Sequence, residues 1–225
     1  EGLDEVTPVW EAGIKLRDRN AAQRTIYAAV NGSMANFTAS NWDQFDTYLG
    51  YETDLYPDDF VSGGQPQYAD LIRYIRGNNL SKARSRCTGS GTWKLGDIIH
   101  STPTTVEYGD FSLVFVGAND GMLHAFRLGK LRRLADDLHT TRVCNSKGDC
   151  GTDKLGREEW AFVPKNAMPY LRFMAHPNYS HINTVDLKPY VIEKQNGDKI
   201  LICGMRFGGA TGAGDSKSPD VDSVN

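Results

Sequence analysis

Residues 112–126, SLVFVGANDGMLHAF, decide which fold class the sequence predicts. A run of apolar residues leads into Asn119-Asp120-Gly121, and an apolar–polar alternation follows. An Asp-Gly pair between two such runs favours a tight turn, because glycine adopts positive φ at no steric cost. The stretch therefore predicts a β-hairpin, with Leu123 and Ala125 packing on one face.

Two more hairpins are predicted on the same grounds. Residues 24–39 carry Asn31-Gly32 between two apolar runs, and residues 189–205 carry Asn196-Gly197. Together with many glycines and aromatic residues, these turns indicate a mainly β protein.

Helices are predicted in two places near the start of the chain. The first begins with Thr7 as its cap and Pro8 at its first helical position. The second lies within residues 66–79, has an apolar face, and ends at Gly77. The polar residues 40–65 between them predict a long irregular connection.

Composition excludes several classes of protein. The chain has 225 residues, with 25 Lys+Arg against 28 Asp+Glu, for a net charge of −3. This balance predicts no nucleic-acid partner, since such proteins carry a basic face. The apolar runs are too short for a membrane span, and 40% hydrophobic residues argue against disorder. The opening EGLDEVTPVW is not a signal peptide, which predicts a mature or excised piece of a longer protein.

Seven stretches, taken in order, resemble a known family. They are PVWEAGIKL (8–16), RTIYAAV (24–30), LIRYIRG (71–77), WKLGDIIHSTP (93–103), GANDGMLHAF (117–126), EEWAFVPKNAMPYL (158–171) and NYSHINTVD (178–186). Together they resemble the C-terminal β-propeller domain of the PilY/PilC family, the tip-associated adhesin and biogenesis proteins of type IV pili. The resemblance covers roughly residues 8–209, and its repeat is similar to that of quinoprotein-type propellers.

The resemblance implies a partial quinoprotein-like β-propeller behind a small mixed α/β lead-in. The lead-in is expected over residues 1–92 and the blades over residues 93–225. At about 40–50 residues a blade, the second part has room for two or three blades and no closed ring. Residues 127–156 look like an insertion on the propeller rim, and the C-terminus looks unfinished.

A non-catalytic role follows from the same resemblance. It implies pilus assembly and surface adhesion outside a Gram-negative-type cell, at the pilus tip. The partners implied are minor pilins and a host or abiotic surface ligand, which exposed loops at residues 40–65 and 127–156 would contact. The alternative is a periplasmic or secreted quinoprotein-like oxidoreductase. Its quinone is not expected, because such a site needs a complete ring of ligands.

Calcium is the one metal that the resemblance implies, through a loop of Asp-x-Asp-x-Asp type. The best local match is the set Asp215, Asp220, Asp222 and Asn225. Val224 occupies the place of a third ligand, so a solvated polar tail is the favoured interpretation. Asp54, Asp58 and Asp59 are a weaker match.

The four cysteines show no zinc, redox or haem-attachment spacing. Cys144 and Cys150 flank a short polar turn, and in the extracytoplasmic setting that the resemblance implies they predict a disulfide. Cys87 is the best remaining partner for Cys203, although a buried free thiol at Cys203 is the alternative.

Histidines and catalytic motifs complete the candidates. His100, His124 and His181 fall in the most family-like stretches, and each is interpreted as a structural residue donating to a backbone carbonyl. The sequence has no nucleophile elbow, no zinc-protease helix and no phosphate loop. These observations predict that the chain is not an enzyme.

Overall fold

A computed structural model describes residue 8 and residues 10–49, 67–109, 111–133, 141–144 and 155–206. Its main feature is a six-stranded mixed sheet in the order β2-β1-β10-β7-β6-β5. The strands of this sheet are β1 (Ile26–Val30), β2 (Ser33–Asn36), β5 (Thr104–Tyr108), β6 (Phe111–Ala118), β7 (Met122–Leu128) and β10 (Glu158–Val163). The four strands β5, β6, β7 and β10 form an antiparallel meander, and β1 joins its edge parallel to β10.

The remaining elements are short. Three two-stranded ribbons pair β3 (Cys87–Thr88) with β4 (Gly91–Thr92), β8 (Lys130–Arg133) with β9 (Thr141–Cys144), and β11 (Tyr190–Glu193) with β12 (Lys199–Ile202). The α-helices are α1 (Ala12–Asp18), α2 (Gln67–Arg76) and α3 (Leu171–Ala175), with 3₁₀ turns at Ala21–Gln23, Ala39–Gln44 and Lys165–Tyr170.

All three predicted hairpins are confirmed. β6 and β7 pair from Ser112↔Leu128 to Ala118↔Met122, and Gly121 in their turn has φ +88°. In the first hairpin, β1 to β2, Asn31 and Gly32 both have positive φ, as a two-residue turn that matches strand twist requires. Gly197 gives the β11–β12 turn the same left-handed backbone.

The main core lies on one face of the sheet. Leu123 and Ala125 of β7 are buried there, as predicted, against α2 and α3. α2 ends where the sequence predicts, at a buried Gly77 with φ +117°. A smaller cluster covers the other face, where Val116 and Phe126 pack beneath Trp10 and Leu95.

One local prediction was wrong. Helix α1 begins at Ala12 with Glu11 as its cap residue, although Pro8 was expected at its first position; Thr7 lies outside the described residues.

The number of propeller blades stays a prediction. From residue 93 onward, the described residues contain one four-stranded meander, the β8–β9 and β11–β12 ribbons, and no closed ring. β1 lies before residue 93 and pairs with β10, so the sheet contains strands from both parts of the chain. The fold class that the structure supports is therefore mainly β with a mixed six-stranded sheet.

The two ends of the predicted insertion, residues 127 and 156, lie next to each other at the sheet. The Gly156 amide donates to the Arg127 carbonyl at 2.7 Å, and the Arg127 amide donates to the Arg157 carbonyl at 2.8 Å. The ends of the predicted insertion are thus hydrogen-bonded to each other. Its described part contains the β8–β9 ribbon.

Candidate functional site

The site is built on the turn between β6 and β7, and Asp120 is its first residue. One carboxylate oxygen accepts from the Gly96 amide at 2.9 Å, and the other accepts from the Met122 amide at 3.1 Å. Asp120 is 8% exposed, and it therefore fixes both its own turn and the segment that leads to β5.

His124 lies between two carboxylates in the middle of β7. Its Nε2 is 3.0 Å from an Asp120 oxygen, and its Nδ1 is 2.8 Å from Glu158 Oε1. The imidazole is completely buried and stacks on Phe126 at a centroid distance of 5.4 Å. Two carboxylate neighbours require both ring nitrogens to donate, so the ring is an imidazolium here.

Glu158 in turn receives a bidentate contact from Arg24. Arg24 Nε and Nη2 each lie 2.8 Å from a Glu158 oxygen, and both side chains are fully buried. Arg19 also donates to the Glu158 carbonyl, and Arg24 donates to the Arg76 carbonyl at 3.0 Å. Asp120, His124, Glu158 and Arg24 form one continuous chain of charges, named below the buried ionic chain.

A β-bulge places Glu158 in that chain. The register of β10 on β7 shifts between Glu158 and Trp160, so Glu158 opposes Phe126 whereas Trp160 opposes Ala125. Trp160 therefore lies on the opposite face, where its ring is 5.6 Å from that of Phe115. Without the bulge, alternation would put the two side chains on the same face.

The charges shift the two pKa values in opposite directions. Burial alone lowers the pKa of His124, but Asp120 and Glu158 outweigh it and raise the pKa to about 9. Burial alone raises the pKa of Glu158, but Arg24 and His124 outweigh it and hold the pKa far below its ordinary value. Both residues are thus charged at neutral pH.

This arrangement suits structural stabilisation better than proton transfer. A general base needs a free lone pair, and both nitrogens of His124 are occupied by carboxylates. A buried charge that is fully paired and hydrogen-bonded holds its elements in a single register.

The other two candidate histidines have separate partners. His100 Nδ1 lies 2.5 Å from Asp186, whose second oxygen accepts from the His100 amide at 3.0 Å. His181 is half-exposed, 3.5 Å from Asp97. For His124 the expected backbone-carbonyl partner was therefore wrong, and carboxylates take its place. Within the described ranges, no group of three or more His, Cys, Asp or Glu side chains is arranged so that it could hold a metal ion.

A cavity of about 330 Å³ opens beside Asp120. Its walls come from residues 84–88, from residues 93–97 and from the β6–β7 turn, with Met174 and Tyr179 from beyond the meander. The turn thus faces a buried ionic chain on one side and an open cleft on the other.

Taken together, most of the predicted disulfide cysteines and calcium ligands lie outside the described residues. Cys87 is an exposed free thiol and Cys203 a half-buried one, so the structure does not join them. Cys150 lies outside the described residues, and the Cys144–Cys150 pairing stays a prediction. The same holds for the calcium candidates Asp215, Asp220, Asp222 and Asn225 and for Asp54, Asp58 and Asp59.

Sequence reasoning missed Arg24 and Glu158. Each stands at the edge of an apolar run that becomes a buried strand, in RTIYAAV and EEWAFV, and that position was a usable signal. The four-residue spacing of Asp120 and His124 across a turn was a second one. Neither signal identifies the partners of these residues, because β7 and β10 pair although the insertion separates them in sequence.

The fold and the site define a mainly β protein. It contains a buried ionic chain, whose charges pair with one another, and an open cleft beside it. Comparison with known proteins adds a family. The chain is 29% identical to the type IV pilus biogenesis factor PilY1 of Pseudomonas aeruginosa (strain UCBPP-PA14), over 82% of this chain. Two PilY1 homologues of Xylella fastidiosa (strain Temecula1) are 28% and 30% identical, over 75% and 80% of this chain. These similarities support a PilY1-like family.

The chain spans only 12–16% of the length of these relatives. No protein-family model matches it, and no solved structure matches it. No helix among the described residues is long and apolar enough to cross a bilayer.

Proposed function

We propose that this chain is a segment of a type IV pilus-associated protein that acts in pilus assembly and surface adhesion without catalysis. The observation that carries the proposal is the similarity to three PilY1 proteins over three quarters or more of the chain. Minor pilins at a cell-surface pilus tip and a surface ligand are the partners that this role needs. Carboxylates occupy both ring nitrogens of His124, and this supports a structural role for the buried ionic chain.

We further propose that the meander β5-β6-β7-β10 is one propeller blade. A blade is a four-stranded antiparallel sheet whose strands follow in chain order, and the meander has this order. The β11–β12 hairpin supports a following blade, because Tyr190, Ile192, Ile200 and Ile202 all point outward from it and are 42–63% exposed. In the longer protein, the next sheet covers this face.

The insertion is the part proposed to contact a surface ligand. Its two ends are hydrogen-bonded to each other at the sheet through Arg127, and loops on a rigid scaffold commonly carry binding specificity. This geometry makes it removable: a two-residue Asn-Gly turn in place of residues 129–154 connects β7 directly to β10.

The test uses the full-length protein in its own bacterium. Deleting the gene is expected to reduce surface pili and adhesion together, as counted by shed pilin and by attached cells. Replacing residues 129–154 with Asn-Gly is expected to keep pili and reduce adhesion. Normal piliation in the deletion strain overturns the assembly role, and normal adhesion with the shortened insertion overturns the role of that insertion.

Calcium binding is tested separately, by calorimetric titration of the full chain. The solvated-tail interpretation of Asp215, Asp220, Asp222 and Asn225 predicts no binding, since the tail lacks a third ligand in sequence. Binding that disappears in the Asp220→Asn/Asp222→Asn variant, with Asp198→Asn as the control, establishes a calcium site instead.

A further inference from the structure

Three basic side chains line the 330 Å³ cavity beside the β6–β7 turn: Arg84, Arg86 and Lys94. Cavities of about 300–1,000 Å³ are typical of small-molecule sites in proteins. Trp93 adds an indole to the same wall. The cavity therefore has the size and the mixed polar and aromatic lining of a ligand site.

None of these three cations has a carboxylate partner in the part of the chain that the structure describes. Arg84 lies over the Tyr179 ring at 3.9 Å, and Arg86 lies over the Tyr74 ring at 3.8 Å. Lys94 is 5% exposed, and its Nζ donates only to carbonyls, those of Arg17 at 2.8 Å and Thr92 at 3.1 Å. Lys94 is buried and the two arginines are partly buried; such cations are normally paired with an anion, so this group is short of negative charge.

The carboxylates of the cavity do not supply that charge. Asp120 is already engaged by His124 and by two backbone amides. Asp97 points outward with 76% of its side chain exposed and has His181 as its neighbour. Because the His124 imidazolium balances Asp120, the cavity keeps a positive excess.

An unsatisfied donor marks the same place. Arg86 Nε is buried without a hydrogen-bond partner, although Nη2 of the same guanidinium donates to the Tyr74 carbonyl. Leaving a buried donor unpaired destabilises the folded protein, and more so when the group is charged. A ligand oxygen that reaches Arg86 would remove this cost.

We propose that this cavity binds a small organic anion through its carboxylate or phosphate oxygens, with Arg84, Arg86 and Lys94 as donors and Trp93 as an apolar wall. Arginine forks match both kinds of oxygen, and lysine adds a point charge. The inference is independent of the pilus role proposed above.

The electrostatics of Lys94 agree with this. Burial and the positive charges of Arg24 and Arg86 lower the pKa of Lys94 to about 8, while Asp18 and Glu158 oppose the shift. A bound anion stabilises the charged ammonium, so binding is expected to be tighter below pH 8.

The experiment is calorimetric titration of the full chain at low salt with four probes. Inorganic phosphate, glucose 6-phosphate and glucuronate are the anions, and glucose is the neutral control. At least one anion is expected to bind with a 1:1 stoichiometry, and glucose is expected not to bind. Binding of the phosphates alone identifies a phosphate ligand, and binding of glucuronate alone identifies a carboxylate ligand.

Variants locate the binding. Arg84→Gln is expected to weaken it about tenfold or more, since a charge-assisted hydrogen bond contributes about 1.5–3 kcal/mol. Arg84→Lys is expected to recover part of the loss. Lys188→Gln removes an exposed charge outside the cavity and is expected to leave the affinity unchanged.

A measurement on the unaltered chain guards against misfolded variants. The Trp93 indole resonance, assigned with Trp93→Phe, is expected to shift on titration with the bound anion. The proposal is overturned if none of the three anions binds at millimolar concentration. It is also overturned if folded Arg84→Gln binds the anion as tightly as the unaltered chain. Binding without a shift of the Trp93 resonance also overturns it.

Discussion

Two hairpins of this chain have nearly the same turn chemistry and opposite surroundings. The β6–β7 turn, Asn119-Asp120-Gly121, is buried and holds the ionic chain, whereas the β11–β12 turn, Asn196-Gly197-Asp198, is exposed. Gly121 and Gly197 have φ values of +88° and +86°. A Cβ on Gly121 would lie 2.5 Å from Leu171 Cδ2, and one on Gly197 would contact nothing within 4 Å. The same backbone conformation thus forms a buried turn in one hairpin and an exposed turn in the other.

The largest effect is expected in the buried ionic chain, which includes Asp120 and His124 of the buried hairpin. Glu158→Gln removes the negative charge between Arg24 and His124, which leaves a buried guanidinium without its counter-ion. Breaking a buried pair in this way destabilises a protein by about 3–5 kcal/mol. Urea unfolding of the full chain measures the loss.

Glu159→Gln is the matched control for that change. Glu159 is the next residue, partly exposed, and pairs with Arg127 and Arg157 at the surface. Surface ion pairs contribute about 0–1 kcal/mol. Equal losses for the two variants would mean that the buried ionic chain adds nothing beyond a surface pair.

The pH dependence of His124 tests the same chain. Its folded pKa of about 9 lies above the ordinary 6.5, so its contribution is complete below pH 6.5 and is lost as the pH rises through 9. At 1.36 kcal/mol per pKa unit the loss is about 3 kcal/mol.

The measurement is urea unfolding of the chain and of His124→Gln from pH 6 to 9.5. Because Lys94 titrates near pH 8 in both proteins, the difference between them isolates His124. The stability gap is expected to narrow toward alkaline pH. A gap that is constant over this range would show that His124 is neutral.

The glycine pair compares the two turns directly. Gly197→Ala adds only the strain of a positive φ, about 1–2 kcal/mol. Gly121→Ala adds the same strain and an overlap with Leu171, which is fully buried, and overpacking costs about 1–3 kcal/mol more. Thermal unfolding should rank Gly121→Ala as the less stable variant, and the reverse order would place Gly121 outside the core.

The smallest effect is expected on the outer face of the exposed hairpin. Ile200→Thr changes a residue that is 43% exposed, and the free energy of unfolding should change by about 0.5 kcal/mol or less. Leu201→Thr is the inward-facing control, because Leu201 packs against the core, and it should cost more. In the full-length protein Ile200→Thr is expected to be costly as well, if a following blade covers this face; no added cost there would argue against that blade.

The sequence was sufficient where the structure depends on local chemistry. Asn31-Gly32, Asp120-Gly121 and Asn196-Gly197 predicted all three hairpins, and the apolar face of residues 66–79 predicted α2 with its end at Gly77. These features are set by backbone sterics and by the period of the side chains within a dozen residues. The predicted start of α1 was wrong: Thr7-Pro8 satisfies the local rule for a helix start, but the chain becomes helical only from Ala12.

What the tertiary structure decided is the pairing between distant segments. It brings Arg24 and Glu158 together across 134 residues, and the bulge in β10 turns Glu158 toward His124 while Trp160 faces the other way. It also brings Arg84, Arg86 and Lys94 around one cavity. Sequence by itself determined the turns and the mainly β class, since those follow from neighbouring residues. The ionic chain and the cleft depend on strand order and register, which local periodicity does not encode.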